Sequence, residues 1–497
     1  MSQRVFRITA LPTLTALILA GCSLAPKYER PVAPVPAQYP SYAEAVQSGE
    51  HAVPASADLG WREFFLDPQL QALIGVALQN NRDLRIAVER IQEARAQYGI
   101  QQSERLPTFG AGGTAQVTRN PEGLRMGGPD SPSVSRVYQA GVGITAFELD
   151  FFGRIRNLTE AAFQQFLATE EARRTVHISL VAQVAEAYFS LRAAEQQLEL
   201  ARRTLAARQA SFDIVQRRFD AGVAGALDLN QAKGQLDTVR ADIAELTRLE
   251  AQAQNAMLLL LGQQPPADLP TSEPFGKDQL LASIPVGLPS DLLTRRPDII
   301  AAEHALMGAN ANIGAARAAF FPNISITGLL GFASGQLGGL FSSGNRYWTY
   351  SPQLTIPLFS GGVSGNLDLA EARKNIAVAQ YEKAIQVAFR EVADTLAGEA
   401  TYASQLDALR SLEQSTAQTL DIAKLRYEEG IDSFLQVQTA EVGLYSAQRQ
   451  FLQTGLNSLL NRVELYKALG GGWVEHTPVA ADAQGGPATG VSNGAEQ

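Results

Sequence analysis

Apolar side chains recur at sevens over long stretches of this sequence. Val184, Leu191, Leu198, Leu205, Phe212 and Phe219 form one series, with Leu180, Ala187, Ala194 and Ala201 running beside it. A seam with one large and one small side predicts a long helix coiling left-handed against a neighbour. The pattern predicts helix from about Gly153 to Phe219, roughly 100 Å at ~1.5 Å per residue. The next helix carries Leu229, Leu236, Ile243 and Met257. A further long helix, from about Gly362 to Tyr427, includes Ile385, Phe389, Val392 and Leu396.

Between the helical stretches the period changes to two. Tyr138, Ala140, Val142 and Ile144 alternate with Gln139, Gly141, Gly143 and Thr145. Ile324, Ile326 and Gly328 alternate with Ser325 and Thr327. Phe109, Ala111, Gly113, Ala115 and Val117 form a weaker set, and Tyr350, Leu354, Ile356 and Leu358 a fourth. Half-apolar segments of this kind are what a lipid-spanning barrel strand requires. The same pattern fits a soluble hairpin packed on a helix. Four strands do not close a membrane barrel, so strands that span imply an oligomer. Pro352 and Pro357 predict a bent or edge-like fourth strand. Tyr138, Tyr347, Trp348 and Tyr350 could supply an interfacial aromatic girdle.

The chain repeats itself once. Arg218-Phe219-Asp220-Ala221-Gly222-Val223 reappears 208 positions on as Arg426-Tyr427-Glu428-Glu429-Gly430-Ile431, and Leu261-Gly262 reappears as Leu469-Gly470. Earlier in each half, Arg82-Asp83-Leu84 matches Pro297-Asp298-Ile299 and Pro107 matches Pro322, 215 positions apart. The seam is copied too: Val437, Leu444, Phe451 and Leu465 answer Leu229, Leu236, Ile243 and Met257. Two long copies indicate a duplicated unit rather than a solenoid.

The first residues read as export chemistry. Arg4 and Arg7 precede the apolar run Leu11 to Leu19, which is too short to span a bilayer, and Leu19-Ala20-Gly21-Cys22 follows with small residues at a cleavage point. This resembles the bacterial lipobox, which implies that Cys22 is acylated and becomes the first mature residue. Ser23 follows where an Asp would suggest inner-membrane retention. Several acyl chains anchor firmly, at roughly 0.8 kcal/mol per buried methylene. Residues 25–57, rich in Pro, Ala and Val, predict an extended tether, and residues 473–497 a disordered tail.

Composition narrows the function. The 497 residues carry 50 acidic and 41 basic side chains, a net charge of −9, which argues against a nucleic-acid partner. The one cysteine excludes a disulfide scaffold. The four histidines, His51, His177, His304 and His476, form no metal-binding spacing, so neither cofactor nor metal is expected. Mean hydropathy of −0.06 is not that of a helical transporter.

The motifs Gly60-Trp61-Arg62-Glu63-Phe64-Phe65, Asn80-Asn81-Arg82-Asp83-Leu84, Phe147-Glu148-Leu149-Asp150, Leu292-Leu293-Thr294-Arg295-Arg296-Pro297-Asp298, Ala315-Ala316-Arg317-Ala318-Ala319-Phe320-Phe321-Pro322 and Leu465 to Trp473 complete the pattern. Over residues 58–473 the chain resembles the TolC-like outer-membrane factors of tripartite RND efflux pumps, in the lipoprotein branch typified by OprM. The resemblance implies an α+β membrane protein and a homotrimer. Each chain would give four strands to a 12-stranded outer-membrane β-barrel, continued by a 12-helix periplasmic α-barrel of coiled-coil helices. The partners implied are a periplasmic adaptor, an inner-membrane RND pump and outer-membrane lipid, and the duct is passive, with no catalysis.

On that pattern the chain divides into a signal peptide (1–21), a lipidated tether (22–57), first-repeat opening helices and belt (58–105), barrel hairpin 1 (106–150), helical pair 1 (151–262), a belt segment with the second-repeat opening helix (263–319), barrel hairpin 2 (320–360), helical pair 2 (361–470) and a C-terminal tail (471–497). The helical pairs would turn at Gly222 and Gly430, where the family places its closed periplasmic mouth and its adaptor contact. By resemblance, Asp228 and Tyr427 fall where an inter-helix hydrogen bond would hold the mouth shut. Asp228 also suits the start of a helix on charge grounds alone. Leu435 matches the family's apolar constriction. Thr439 stands where many members carry an Asp and Val442 where near relatives carry an Arg, so a charged ring is replaced by a neutral one. Asp432 and Glu441 are the nearby carboxylates that could restore charge.

Other readings make different demands. A periplasmic lipoprotein enzyme needs a convergent set of nucleophile, base or metal ligands, which the sequence does not offer. Glu303-His304 is a weak candidate, more in keeping with a packed or solvated helix face. A coiled-coil adaptor lipoprotein explains the heptads but not the strand blocks. A type I secretion exit duct shares every feature above except the lipobox and the RND-branch motifs.

Overall fold

The computed structural model describes residues 23–40, 58–125, 131–272, 275–276, 279–281, 289–359 and 361–478. Cys22 and the signal segment before it, residues 41–57 of the tether, and the tail beyond residue 478 lie outside the described residues. The elements run α1 (Pro68–Asn80), α2 (Arg82–Ser103), β1 (Phe109–Arg119), β2 (Val134–Glu148), α3 (Arg154–Asp220), α4 (Ala226–Leu261), α5 (Pro297–Ala318), β3 (Asn323–Ser334), β4 (Arg346–Thr355), α6 (Gly361–Glu428) and α7 (Phe434–Ala468). The order helix, two strands, long helix, shorter helix thus occurs twice, with long helices of 67 and 68 residues and shorter ones of 36 and 35.

The described residues separate into two compact units, each drawn from three stretches: those within 1–34, 86–173 and 298–386 in one, and those within 35–85, 174–297 and 387–497 in the other. The first holds the sheet, four antiparallel strands in the order β1-β2-β3-β4. Its register shifts between Ile144 and Phe147, where Ala146 takes φ 48°. Three glycines explain the flat approach of β2 to β3. A side chain at Gly141, Gly143 or Gly331 would collide with backbone of the facing strand. Pro352 lies within β4, at the sheet edge, where a missing N–H is tolerated.

In the same unit residues 23–30, the first part of the expected extended tether, are fastened along α5 and to Asn157 of α3. Ser23 Oγ donates to Asn157 Oδ1 at 2.8 Å, and Asn310 Nδ2 donates to the Pro26 carbonyl at 2.7 Å. Glu303, buried on α5, accepts from Tyr28 Oη at 2.9 Å and from Arg30 Nε and Nη2 at 2.7 and 2.8 Å. Gly314 leaves room for the Ala25 backbone that any side chain would fill. Pro-rich sequence disfavours helix, but it does not prevent an extended segment from binding when its side chains supply the partners of buried polar groups.

The second unit is organised around Asp67. Its carboxylate caps α1 by accepting from Gln69 N at 2.8 Å and Leu70 N at 3.4 Å, and it also accepts from Tyr188 Oη at 2.6 Å and Gln279 Nε2 at 3.2 Å. Trp61, Phe64, Phe65 and Tyr466 are buried nearby, with the rings of Phe64 and Tyr466 stacked 4.0 Å apart. The start of the expected tail is ordered here. Trp61 N and Arg62 N donate to the Val474 and Glu475 carbonyls, and Arg62 pairs with Glu475 at 2.7 Å. Arg296 Nη1 joins Glu391 at 2.7 Å and the Ala468 carbonyl at 3.1 Å.

Heptad positions along α3 are buried unevenly, and Phe219, the last of the series, is 37% exposed. Val184 and Leu198 are buried, and Leu198 packs with Ala201, Val239 and Leu246, flanked by Leu205 and Ile243.

Candidate functional site

The two helical pairs end in identical turns. Gly222 adopts φ 73°, with its N–H donating to Phe219 O at 2.9 Å and Val223 N–H donating to Arg218 O at 2.8 Å. Gly430 adopts φ 71°, with Gly430 N–H donating to Tyr427 O at 3.1 Å and Ile431 N–H to Arg426 O at 2.9 Å. This is the Schellman arrangement, which satisfies the last carbonyls of α3 and α6 and needs a left-handed residue after the helix. Both turn glycines face open space, so conformation rather than crowding selects them.

Just above the turns all four long helices share one core. Val215 of α3, Ala232 of α4, Leu420 and Ala423 of α6, and Phe434, Val437 and Ala440 of α7 are buried together, with Phe212, Leu229, Tyr427 and Leu444 packed on them. Tyr427 is therefore held by its ring. It lies 5.4 Å from the Phe434 ring, and the Arg218 guanidinium sits 4.7 Å over its face.

The hydrogen bond expected between Tyr427 and Asp228 is not made within the described chain. Asp228 stands in the first turn of α4, where a carboxylate complements the helix dipole. The two are electrostatic neighbours. Burial chiefly raises the Tyr427 phenol above its ordinary value, Asp228 adds to the rise, and Arg218 opposes it. The ring's place against Phe434 and Arg218, rather than the hydroxyl's partner, fixes Tyr427.

The second turn carries an ion pair that the first lacks. Arg426 Nε and Nη2 donate to the two Asp432 oxygens at 2.6 and 3.2 Å. The pairing holds the Asp432 carboxyl below its usual value. Arg218, the repeat counterpart of Arg426, has Ala224 where Arg426 has Asp432, and covers Tyr427 instead. Asp432 is thus a paired charge. Glu441 is buried and accepts from Ser211 Oγ at 2.9 Å. Glu441 therefore lends no charge to the exposed side of α7, and Asp432 borders it only as half of an ion pair with Arg426.

Leu435 is 50% exposed and Val442 43%. Thr439 is exposed, and its Oγ1 donates to the Leu435 carbonyl at 2.8 Å, so the hydroxyl proton is engaged by the helix. Thr439 also lines a cavity of about 380 Å³ with Thr416, Thr419, Arg426, Asp432 and Gln436. Cys22 lies outside the described residues. His304 bonds Gln164 at 2.7 Å while its neighbour Glu303 accepts from Tyr28 and Arg30, so the two do not form a joint site.

Arg218 and Arg426 were visible in the repeat but carried no assigned role, and nothing in the spacing marked them as tip residues with different partners. A second cluster leaves no signature in the sequence. Arg208, Asp242, Tyr445 and Arg449 come together from α3, α4 and α7.

Paired strand hairpins continued into long helices that return through glycine turns define an outer-membrane channel protein of mixed helix and strand. The family model described as "Outer membrane efflux protein" matches residues 73–263 and 288–471. The chain is 45% identical to the solvent efflux pump outer membrane protein SrpC of Pseudomonas putida over 468 residues, 94% of this chain and 99% of the relative. It is 44% identical to the outer membrane protein OprJ of Pseudomonas aeruginosa over 476 residues, 96% of this chain and 98% of OprJ. Its fold is similar to the open-state MtrE outer membrane channel of Neisseria gonorrhoeae, with a TM-score of 0.81 at 37% identity over 92% of this chain and all of MtrE. The chain belongs to the outer membrane efflux protein family. It is accordingly an outer-membrane protein with a transport rather than an enzymatic function.

Proposed function

We propose that three copies assemble into a passive exit duct for small toxic compounds. The observation that carries the reading is the sheet: β1 and β4 are its open edges, and four strands are too few for a closed membrane barrel. Joining β4 of one copy to β1 of the next in a closed ring of three gives 12 strands and leaves no edge. The exposed Trp348 and Tyr350 of β4 suit an aromatic belt at the membrane surface. The long helices of three copies would extend the duct as a 12-helix tunnel into the periplasm. Cys22, when acylated, would anchor each copy to outer-membrane lipid.

The tunnel would end at the tips, with the core around Tyr427 closing it and Leu435 forming its narrowest apolar ring. The turns at Gly222 and Gly430 would receive a periplasmic adaptor, which links the duct to an inner-membrane RND pump. The names of the relatives, solvent and toluene efflux pump proteins among them, favour small-molecule cargo. Deleting the gene in its own host should lower the inhibitory concentrations of solvents and lipophilic antibiotics, and the intact gene should restore them. Unchanged inhibitory concentrations together with loss of secretion of a protein substrate would overturn the cargo assignment in favour of the secretion duct.

A further inference from the structure

The exposed side of α7 is nearly free of charge. Leu435, Thr439, Val442, Ser446, Arg449 and Gln453 fall on one helical face, since steps of three and four residues return to the same side. Arg449 is the one charged residue among the exposed positions between Ser433 and Asn457.

Its guanidinium is not adrift. Arg449 Nη1 lies 3.6 Å from Asp242 Oδ2. Tyr445 Oη donates to the same oxygen at 3.1 Å. Two guanidinium groups lie over the Tyr445 ring, Arg449 at 5.7 Å and the buried Arg208 at 5.4 Å, and Arg208 Nη1 donates to the Gln235 carbonyl at 2.9 Å. Burial and Asp242 push the Tyr445 hydroxyl up to about 12, so it stays a donor across the physiological range. These groups border a polar groove of about 560 Å³. The arrangement is graded in exposure: the Arg449 side chain is 44% exposed and Asp242 21%. The positive member faces solvent and the negative one holds it from behind.

We infer that Arg449, oriented by Asp242 and Tyr445, sets the ion preference of the duct wall above the apolar constriction. The inference rests on the reading that the Leu435–Thr439 face of α7 lines the duct. In a trimer the residue becomes a ring of three guanidinium groups in a wall that is otherwise neutral on this helix. Such a ring favours anions and raises the barrier to cations. Asp242 tempers it by partial neutralisation. Charge selection at this level replaces the ring that Thr439 and Val442 cannot supply. The solutes favoured are those with an anionic or neutral polar group.

The test is the reversal potential of the purified full-length protein in planar bilayers under a KCl gradient. Arg449→Gln should shift it toward cation preference and Arg449→Glu further in the same direction. Asp242→Asn, which strips the counter-charge, should shift it toward anions. A change of about twofold or more in the potassium-to-chloride permeability ratio is expected for each. Leu435→Ala serves as the control for the underlying reading and should raise conductance. If Leu435→Ala raises conductance while the charge variants leave the reversal potential unchanged, the duct reading stands and this inference falls. If the wild-type protein forms no channels, both fall.

Discussion

Arg30 grips Glu303 through two parallel hydrogen bonds, 2.7 Å from Nε to Oε1 and 2.8 Å from Nη2 to Oε2. The carboxylate is buried on α5, whereas half of the arginine side chain is open to solvent. An extended segment close behind Cys22 is thereby made part of the folded unit. Arg30→Ala leaves the carboxylate with Tyr28 alone and should cost about 1–3 kcal/mol, less than a fully buried pair because the guanidinium is partly solvated. Replacing both partners, Arg30→Met with Glu303→Met, should cost less than the single change. Thermal unfolding of the two variants beside the wild type checks the order.

The glycines with left-handed backbone differ in what surrounds them. Gly430 has open space and φ 71°, so Gly430→Ala should cost only the conformational strain, about 1–2 kcal/mol. Gly262 has φ 69° and lies against the Asn80 carbonyl, so Gly262→Ala adds a backbone collision to the same strain. Chemical denaturation should show Gly262→Ala to be clearly the less stable of the two.

Glu186 should confer a pH dependence. Burial, and then the neighbouring Glu464, raise its pKa from 4.5 to about 7. The folded state therefore holds this proton more tightly than the unfolded one. Its contribution is complete below about pH 4.5 and is lost as pH rises through about 7, so stability falls across that window. Glu186→Gln should flatten the slope, as read from melting temperature against pH.

At the tip, Arg426→Ala breaks the bidentate pair with Asp432, and Tyr427→Ala removes the ring from between Arg218 and Phe434. Each should raise single-channel conductance. Tyr427→Phe keeps the ring and, since no hydrogen bond joins its hydroxyl to Asp228 within the chain, should behave nearly as wild type even with Asp228→Ala. A large rise in that double variant would show that the hydroxyl is the lock after all.

Much of the backbone was legible because it is periodic. Heptads gave α3 and α6 nearly to their ends, which fall at Arg154–Asp220 and Gly361–Glu428. Alternation located the four strands but not their ends: β4 runs Arg346–Thr355 and stops before Ile356 and Leu358, and β2 continues past Ile144 because the irregularity near Ala146 breaks the period without ending the strand. What stayed hidden depends on side chains far apart in sequence. Nothing in a Pro-rich run announces that Tyr28 and Arg30 will satisfy Glu303, nor that Trp61 and Arg62 will bind the residues after Trp473. The repeat marked Arg218 and Arg426 as equivalent, yet Asp432 against Ala224 gives them different partners. Arg449 and Asp242 lie in separate halves and meet only because α4 and α7 pack together.

A gated duct closed by three chains makes two demands, a defined oligomer and a defined conductance. Single-channel conductance of the purified mature protein, measured with its oligomer mass in detergent, tests it most directly. The expected result is a trimer that forms small, mostly closed channels. A monomer that never conducts would contradict it, because the open edges of β1 and β4 would then have some other fate.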